Sequence, residues 1–287
     1  MRTKFTVPAN PYRKSIDKLA KTYADQKLID DQFLSDWQYC LNSVLVIDVK
    51  TTYDQVNEAC DSAKSKSDWN KLIHEYTGGL SEPSKMPCYG WSTPAHFCHN
   101  GRKLHGLDGT TCNGCYALKG RYLFSNVRYA MARRYATYRY SGGSIYNTFR
   151  LVLSKFLSWQ LENHSPDIDP RYFRWFDSGD VSDYGQFCEI CEIAWDCPDI
   201  KFWLPTRELA IFQSAYHKIP SNLLVRYSTP MINALNRRDN STMVASELAI
   251  IPDICSVCPA TATDRHKCND HDCRNCWTPG HIAYLKH

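Results

Sequence analysis

The chain has 287 residues, a formal net charge of +4 and an apolar fraction of 43%, which fits one large α/β domain or two smaller ones. No run approaches the roughly 18 apolar residues that a membrane helix requires, and the first residues lack the apolar core of a secretory signal. These features argue against a membrane protein and predict a cytoplasmic one. The mild charge permits nucleic-acid binding without arguing for it.

The first 85 residues are predicted to form a mainly helical extension. Apolar residues recur at helical spacing over Ser15–Leu28 and Asp31–Leu41, and Ser67-Asp68 is a candidate cap for a helix that reaches His74. A β-branched run at 44–47 predicts one short strand. The Gly78-Gly79 turn ends this region.

The stretch Met86–Thr111 is rich in Pro, Gly, His and Asn and is predicted to be a long functional loop. Two helices are expected to follow it, at Ala117–Tyr140 and at Ser144–Leu161. The first helix carries five arginines interleaved with aromatic residues. It could contact nucleic acid through these side chains, or it could be a solvated amphipathic helix whose tyrosines pack on a sheet.

Strands and helices are predicted to alternate after Pro170, which is typical of a parallel sheet built from βαβ units, open or closed into a barrel. The predicted strands are Tyr172–Phe176, Lys201–Leu204, Leu223–Tyr227, Met243–Ala245 and His281–Leu285, and the predicted helices are Ser182–Trp195 and Thr206–Tyr216. The C-terminal ends of such strands host the chemistry. The polar residues that fall there are Asp177, Ser178, Gly179, Asp180, Thr206, Arg207 and Ser228.

The turn Asp177-Ser178-Gly179-Asp180 is the best constellation without cysteine. A carboxylate beside a glycine at a strand end can receive an amine or a hydroxyl at close backbone approach. The same four residues are also an ideal turn into a helix. The motif alone leaves both interpretations open.

Fourteen cysteines in a cytoplasmic protein are not expected to form a disulfide framework, and their clustering predicts metal binding instead. The densest group lies near the C-terminus, where Cys258, Cys268, Cys273 and Cys276 are the predicted ligands and Cys255 is a spare thiol. A zinc site in which His266 or His271 replaces one cysteine is the alternative.

The second group consists of Cys98, Cys112 and Cys115. Three thiolates suit a cubane iron–sulfur cluster with one open iron, whereas a closed zinc site would need a fourth ligand. His96, His99, His105 and Cys88 are the candidates for that fourth ligand. A third group, Cys188, Cys191 and Cys197, lies on an apolar helix and is predicted to pack in the core.

Several of these motifs together resemble the phage gene product 88 family over about residues 86–280, with the first 85 residues outside the resemblance. The motifs that carry it are Pro94-Ala95, Cys98, Cys112-Asn113-Gly114-Cys115-Tyr116-Ala117, Gly120, Tyr122, Phe173 to Asp180, Cys258-Pro259, Cys268, Cys273 and Cys276-Trp277. A phage family implies a protein of the host cytoplasm.

That family in turn looks like a distant relative of radical S-adenosylmethionine (SAM) enzymes. The resemblance implies a partial (β/α) barrel in which Cys98, Cys112 and Cys115 hold a [4Fe–4S] cluster. Ser178, Gly179 and Asp180 would then receive the SAM amine, with Thr206 and Tyr116 also in the cofactor site and Ser178 and Asp180 as catalytic residues. The C-terminal cysteines would hold a second, auxiliary cluster.

The spacing departs from the usual radical-SAM motif, because thirteen residues rather than three separate Cys98 from Cys112, and the aromatic Tyr116 follows the last cysteine. The implied organisation is a helical extension at 1–85, a radical-SAM-like α/β barrel at 86–254 and a cluster-binding tail at 255–287.

The implied activity is the generation of a 5′-deoxyadenosyl radical that acts on an unidentified small molecule, nucleotide or nucleic acid. Two alternatives stay open. One is a non-enzymatic module, stabilised by zinc or an iron–sulfur cluster, that binds nucleic acid or a host protein. The other is a redox regulator that retains a cluster and has lost SAM.

Overall fold

The computed structural model describes residues 52–139, 148–213 and 219–286. The helices predicted at 15–28 and 31–41 and the strand predicted at 44–47 lie outside these ranges. Within them, no helix is both long enough and apolar enough to cross a membrane.

The described chain contains eight α-helices and seven strands, connected by turns and short 3-10 segments. The helices are α1 Tyr53–Ser62, α2 Lys66–Thr77, α3 His99–Leu104, α4 Ser125–Thr137, α5 Thr148–Gln160, α6 Tyr184–Asp196, α7 Leu209–Gln213 and α8 Pro259–Ala262. The strands are β1 Gly90–Trp91, β2 Tyr172–Trp175, β3 Lys201–Thr206, β4 Leu223–Tyr227, β5 Thr242–Ala245, β6 Cys255–Val257 and β7 His281–Leu285.

The strands form two sheets in which every pairing is parallel. The first sheet has the order β1-β2-β3-β4, and the second has the order β5-β7-β6. A single parallel bridge between Ser228 and Thr242 joins the end of β4 to the start of β5. The predicted α/β class with parallel sheets is therefore confirmed.

Successive side chains along β2 point alternately to the two opposite faces of the first sheet. Phe173 and Trp175 are buried in the main core. That core also contains Phe149 of α5 and Phe187 of α6. Arg174 points to the opposite face, where its guanidinium lies 4.5 Å from the centre of the Trp203 ring. We call this second side the inner face.

Residues 53–77 share the main core with the α/β part of the chain. Trp69 of α2 packs against Phe156 of α5 at 5.8 Å between ring centres, and Val56 of α1 belongs to the same cluster. Helix α2 begins earlier than predicted, because Ser65 and Asp68 form a capping box that satisfies the first backbone donors. The helix also runs three residues beyond the predicted end at His74, and Gly78, with a φ of +73°, ends it.

Two other predictions for this half of the chain are wrong. Residues 86–111 are not one continuous loop, because they include β1 and α3. The helix predicted from Ala117 begins only at Ser125, since Lys119 is extended and Gly120 has a φ of +55°. Short 3-10 segments occupy 116–118 and 120–123 instead.

Two of the arginines in α4 have structural roles. Arg133 Nε donates to the Gly78 carbonyl at 2.9 Å, and Arg134 Nε donates to the Gly79 carbonyl at 3.0 Å. Arg134 is almost fully buried. These contacts fasten α4 to the end of α2, so these two side chains are directed at the protein's own backbone.

The C-terminal tail covers part of the inner face. Arg226 of β4 is fully buried and donates hydrogen bonds to the carbonyls of Asn275, Cys276, Thr278 and Gly280. Trp277 packs edge-on against Trp203 at 5.4 Å. Its indole N–H also donates to the Phe173 carbonyl at 2.9 Å. The tail is therefore held on the sheet by one buried cation and two indole rings.

Candidate metal centres and strand-end site

The predicted turn after β2 lies against the residues that follow β1. The Thr93 N–H donates to the Ser178 carbonyl at 3.1 Å. Gly179 has a φ of +83°, and a Cβ placed there would lie 2.0 Å from Thr93 Oγ1 and 2.8 Å from the Thr93 carbonyl oxygen. Only glycine fits this approach, which brings the carboxyl ends of β1 and β2 together.

Asp180 connects the ends of β2 and β3. Its carboxylate accepts from Thr206 Oγ1 at 2.7 Å, from the Arg207 N–H at 2.9 Å and from the Val181 N–H at 2.8 Å. Burial raises the pKa of Asp180 to about 6, although these hydrogen bonds favour the charged form. The carboxylate is thus committed to positioning the strand ends, and Thr206 is one of its partners.

Ser178, in contrast, offers an unused polar group. Its Oγ is buried and has no hydrogen-bond partner among the residues that the structure describes. Arg207 Nε is likewise buried without an acceptor, while its Nη2 donates to Thr111 Oγ1 at 2.6 Å. Because buried polar groups are nearly always paired, the Ser178 hydroxyl and the Arg207 Nε indicate a place for a polar ligand.

Two tyrosines hold Asp177, at the start of the turn. Tyr122 donates to Asp177 Oδ2 at 2.9 Å, and the Tyr116 hydroxyl donates to the Asp177 carbonyl. Most of the Tyr116 side chain is exposed, at 61%. The residue after Cys115 is therefore attached directly to the turn after β2.

The segment Cys98–Cys115, here called the cysteine loop, crosses the ends of β3 and β4. Glu208 accepts from the Asn100 N–H and from Asn100 Nδ2, both at 2.8 Å. The Thr111 N–H donates to the Pro230 carbonyl at 2.8 Å. These contacts place the predicted cluster ligands at the same sheet edge as the turn after β2.

The three thiols of the cysteine loop face a shared interior. A Cβ placed on Gly101 would lie 3.6 Å from Cys112 Sγ and 3.7 Å from Cys98 Sγ, so both sulfurs line the same small space. Burial raises the pKa of Cys98 well above its ordinary value, and the charges of Asp180 and Cys115 raise it further. Burial also raises the pKa of Cys115.

Arg207 supplies the compensating positive charge, since it favours the thiolate form of both Cys98 and Cys115. Thiolates are the form that binds metal. The donor set of three thiols and one nearby guanidinium fits a metal–thiolate centre.

The four predicted C-terminal ligands are also neighbours; we call Cys258, Cys268, Cys273 and Cys276 the C-terminal thiol group. Burial and, to a smaller extent, the other thiols of the group raise the pKa of Cys268 to about 11 and that of Cys276 to about 12. Cys276 Sγ lies 3.4 Å from the Tyr284 hydroxyl. Cys255 packs separately against Met243, Ala245 and Ala283.

Cys88 lies with the C-terminal thiol group and not with the cysteine loop. It is 1% exposed and shares a packed cluster with Cys276, Trp203, Trp277 and Ile282. Burial raises its pKa, Arg174 opposes this shift, and Cys268 adds to it. As a fourth ligand for Cys98, Cys112 and Cys115, Cys88 is therefore in the wrong place.

No three or more His, Cys, Asp or Glu side chains within 52–139, 148–213 and 219–286 converge closely enough to hold one metal ion. Two sulfurs bound to one zinc lie about 3.8 Å apart, given tetrahedral bonds of about 2.3 Å. A cubane places each thiolate on a different iron and tolerates wider spacing.

The histidines proposed as zinc ligands have other contacts. His266 Nδ1 lies 3.3 Å from the Ala260 carbonyl, and His271 Nε2 lies 2.8 Å from the Arg265 carbonyl. His105 Nδ1 lies 3.2 Å from the Cys112 carbonyl. In the third cysteine group, Cys191 and Cys197 are buried in the main core as predicted, whereas Cys188 is only half-buried and lies outside that core.

Several residues of this region were not predicted from the sequence. Thr93 and Glu208 hold the turn and the cysteine loop. On the inner face, Arg226 is a buried cation and Arg174 is a half-buried one. An arginine inside a strand with apolar neighbours is the signal that could have identified the last two, because a buried charge needs a dedicated partner.

The family model described as "Gene product 88" matches residues 55–279, which is more than half of the chain. The match begins 31 residues before the boundary at 86 that the motifs alone indicated. It therefore includes most of α1 and all of α2, which share the main core. No curated protein and no solved structure matched the chain.

Proposed function

The chain belongs to the gene product 88 family, and we propose that it is an iron–sulfur protein of radical-SAM type. In this proposal Cys98, Cys112 and Cys115 hold a [4Fe–4S] cluster that leaves one iron open. The strands β1 to β4, continued by β5 and β7, form a partial barrel whose carboxyl edge carries the reaction. The C-terminal thiol group holds a second cluster.

The observation that carries the proposal is the order of the parts along the sheet. The cysteine loop follows the first parallel strand, and the turn Asp177–Asp180 follows the second. Thr93 and Gly179 bring the two strand ends into contact. This is the order that a radical-SAM site requires, and it is independent of the cysteine spacing, which departs from the usual motif.

The residues of this edge can be assigned distinct roles. The thiolates of the cysteine loop hold the cluster, and Arg207 offsets their charge. The buried Ser178 hydroxyl is free to hydrogen-bond the ligand. Asp180 positions the strand ends through Thr206 and Arg207. When bound and reduced, such a cluster supplies one electron to SAM at its open iron.

The test begins with anaerobic purification. We expect a brown protein with broad absorbance near ~400 nm and several irons per chain. Cys115→Ala should lose about half of the iron, because the C-terminal thiol group retains its own cluster. Cys255→Ala is the matched control, since Cys255 packs away from both groups. Iron content in Cys115→Ala equal to that of the wild type would refute the assignment.

Ser178→Ala separates a ligand-binding role from a structural one. The buried hydroxyl has no partner in the described chain, so its removal should leave the free energy of unfolding unchanged within about 0.5 kcal/mol. SAM affinity and the yield of 5′-deoxyadenosine after addition of SAM and a reductant should both fall. A variant with full SAM affinity would show that Ser178 does not contact the ligand.

A second candidate function is a cluster-stabilised regulator or binding protein without SAM chemistry. It is favoured by the tail, which packs Trp277 and Arg226 on the inner face where a barrel enzyme would bind its substrate. It is also favoured by Asp180, whose oxygens are already engaged. A protein that contains iron and forms no 5′-deoxyadenosine with SAM and reductant would support this second function.

A further inference from the structure

Cys88 and the C-terminal thiol group belong to distant parts of the chain and meet on the inner face. Cys88 belongs to the packed cluster of Cys276, and Cys258 and Tyr284 pack against the same cluster. Sequence spacing does not predict this meeting, because about 170 residues separate Cys88 from Cys258.

Backbone hydrogen bonds hold the segment that carries Cys88 in this position. The Cys268 N–H donates to the Lys85 carbonyl at 3.0 Å, which ties the segment to the tail. The Asp169 N–H donates to the Pro87 carbonyl at 2.6 Å, and the Arg174 N–H donates to the Tyr89 carbonyl at 3.1 Å. Contacts on both sides of Cys88 therefore fix its thiol beside the tail.

Arg174, which is half-buried, stands next to these thiols and forms no ion pair among the described residues. Its Nη1 donates to Met86 Sδ at 3.5 Å, and the Asp177 carboxylate acts on its charge only from beyond ion-pair distance. Its Nε is buried without an acceptor, and so is Trp203 Nε1 beneath it. A second guanidinium, that of Arg274, also lies near Cys88 and Cys268.

A guanidinium whose Nε is shielded from water needs nearby negative charge, because desolvation of an unpaired ion is costly. Neutral thiols do not meet that need, whereas metal-bound thiolates do. The unused donors of Arg174 and Trp203 can hydrogen-bond to thiolate or cluster sulfur, as donors around such centres commonly do.

We propose that Cys88 is a thiolate ligand of the C-terminal metal centre and that Arg174 is its counter-charge. This inference deepens the iron–sulfur assignment and concerns only the second centre. Each thiol that binds releases its proton to solvent, so the centre is anionic and Arg174 balances it. The centre then joins the segment before β1 to the tail after β6.

The experiment uses the full chain with Cys98→Ala, Cys112→Ala and Cys115→Ala, so that failure of the cluster in the cysteine loop does not affect the result. Bound iron and zinc are measured after anaerobic reconstitution, together with the rate of metal release to a chelator. We expect Cys88→Ser to lose at least half of the metal or to release it at least tenfold faster. Cys255→Ser, another buried unpaired thiol, should match the parent.

Equal metal content and equal release rates in Cys88→Ser and Cys255→Ser would overturn the proposal, and so would a parent that binds no metal. Cys88→Ala distinguishes the loss of a metal ligand from the loss of packing. As a ligand, Cys88 should affect the melting temperature of the metal-loaded protein and leave that of the chelator-treated protein unchanged. A packing role would lower both melting temperatures alike, and that result would also overturn the proposal.

Arg174→Met provides an independent readout. Loss of the counter-charge should make the C-terminal centre harder to reduce, so its midpoint potential should become more negative, and Arg174→Lys should restore part of the shift. An unchanged potential in Arg174→Met would refute the counter-charge role.

Discussion

Replacing Gly179 by alanine should disconnect the ends of β1 and β2. The new Cβ would lie 2.0 Å from Thr93 Oγ1, which can rotate away, but also 2.8 Å from the Thr93 carbonyl oxygen, which cannot. The strand ends must therefore separate, and the hydrogen bond from the Thr93 N–H to the Ser178 carbonyl is lost.

Three contributions determine how much Gly179→Ala lowers the free energy of unfolding. An alanine at a φ of +83° costs about 1–2 kcal/mol, overpacking costs about 1–3 kcal/mol, and the lost hydrogen bond costs about 1 kcal/mol. Gly179→Ala should therefore lower the free energy of unfolding by about 3–6 kcal/mol.

Gly106 provides the matched control for this prediction. Its φ is +82°, yet a Cβ placed there would meet nothing within 4 Å, so Gly106→Ala should cost only the backbone term of about 1–2 kcal/mol. Urea denaturation followed by tryptophan fluorescence measures both variants. If Gly179→Ala were no less stable than Gly106→Ala, the close approach of the two strand ends would be refuted.

Two further predictions concern stability away from the strand ends. Arg226→Met should lower the free energy of unfolding by about 3–5 kcal/mol in urea denaturation, because four tail carbonyls lose their shared donor. The control Arg237→Met, at an exposed arginine, should change that free energy by no more than about 0.5 kcal/mol. Equal losses in the two variants would contradict the anchoring role of Arg226. Burial raises the pKa of Glu189 to about 7, although a hydrogen bond with Tyr138 opposes the shift. The folded protein then holds this proton more tightly than the unfolded chain, so stability falls as pH rises from about 4.5 to about 7. Glu189→Gln should remove this pH dependence and be more stable than wild type at pH 8 by up to about 3 kcal/mol, with little difference near pH 4. If the melting temperatures of the two proteins changed in the same way between pH 4 and pH 8, Glu189 would not be buried as described.

The sequence predicted those elements whose pattern is local. Leu223–Tyr227 and His281–Leu285 were predicted with their observed bounds, because short apolar runs between turn residues are typical of buried parallel strands. The two residues of β1 are too few to form a pattern. The start of α4 was predicted too early, because the arginines and aromatic residues before it keep helical spacing although the chain there is extended at Lys119.

The candidate site, like the fold, could be predicted only in part from the sequence. The turn Asp177–Asp180 and the two cysteine groups could be found from residue types and spacing. The hydrogen bonds that Thr206 and Arg207 donate to the Asp180 carboxylate, however, depend on contacts between strand ends that are 26 residues apart. The position of Cys88 depends on how the tail returns to the inner face. Tertiary contacts of this kind leave no local pattern.

The order of the second sheet, β5-β7-β6, has a consequence for synthesis. Its central strand, β7, is made after both of its neighbours, so β5 and β6 leave the ribosome with unpaired edges. Such edges can pair with other chains until the partner arrives. We therefore expect nascent chains that stop before residue 281 to aggregate, and the whole sheet to form in a single late step.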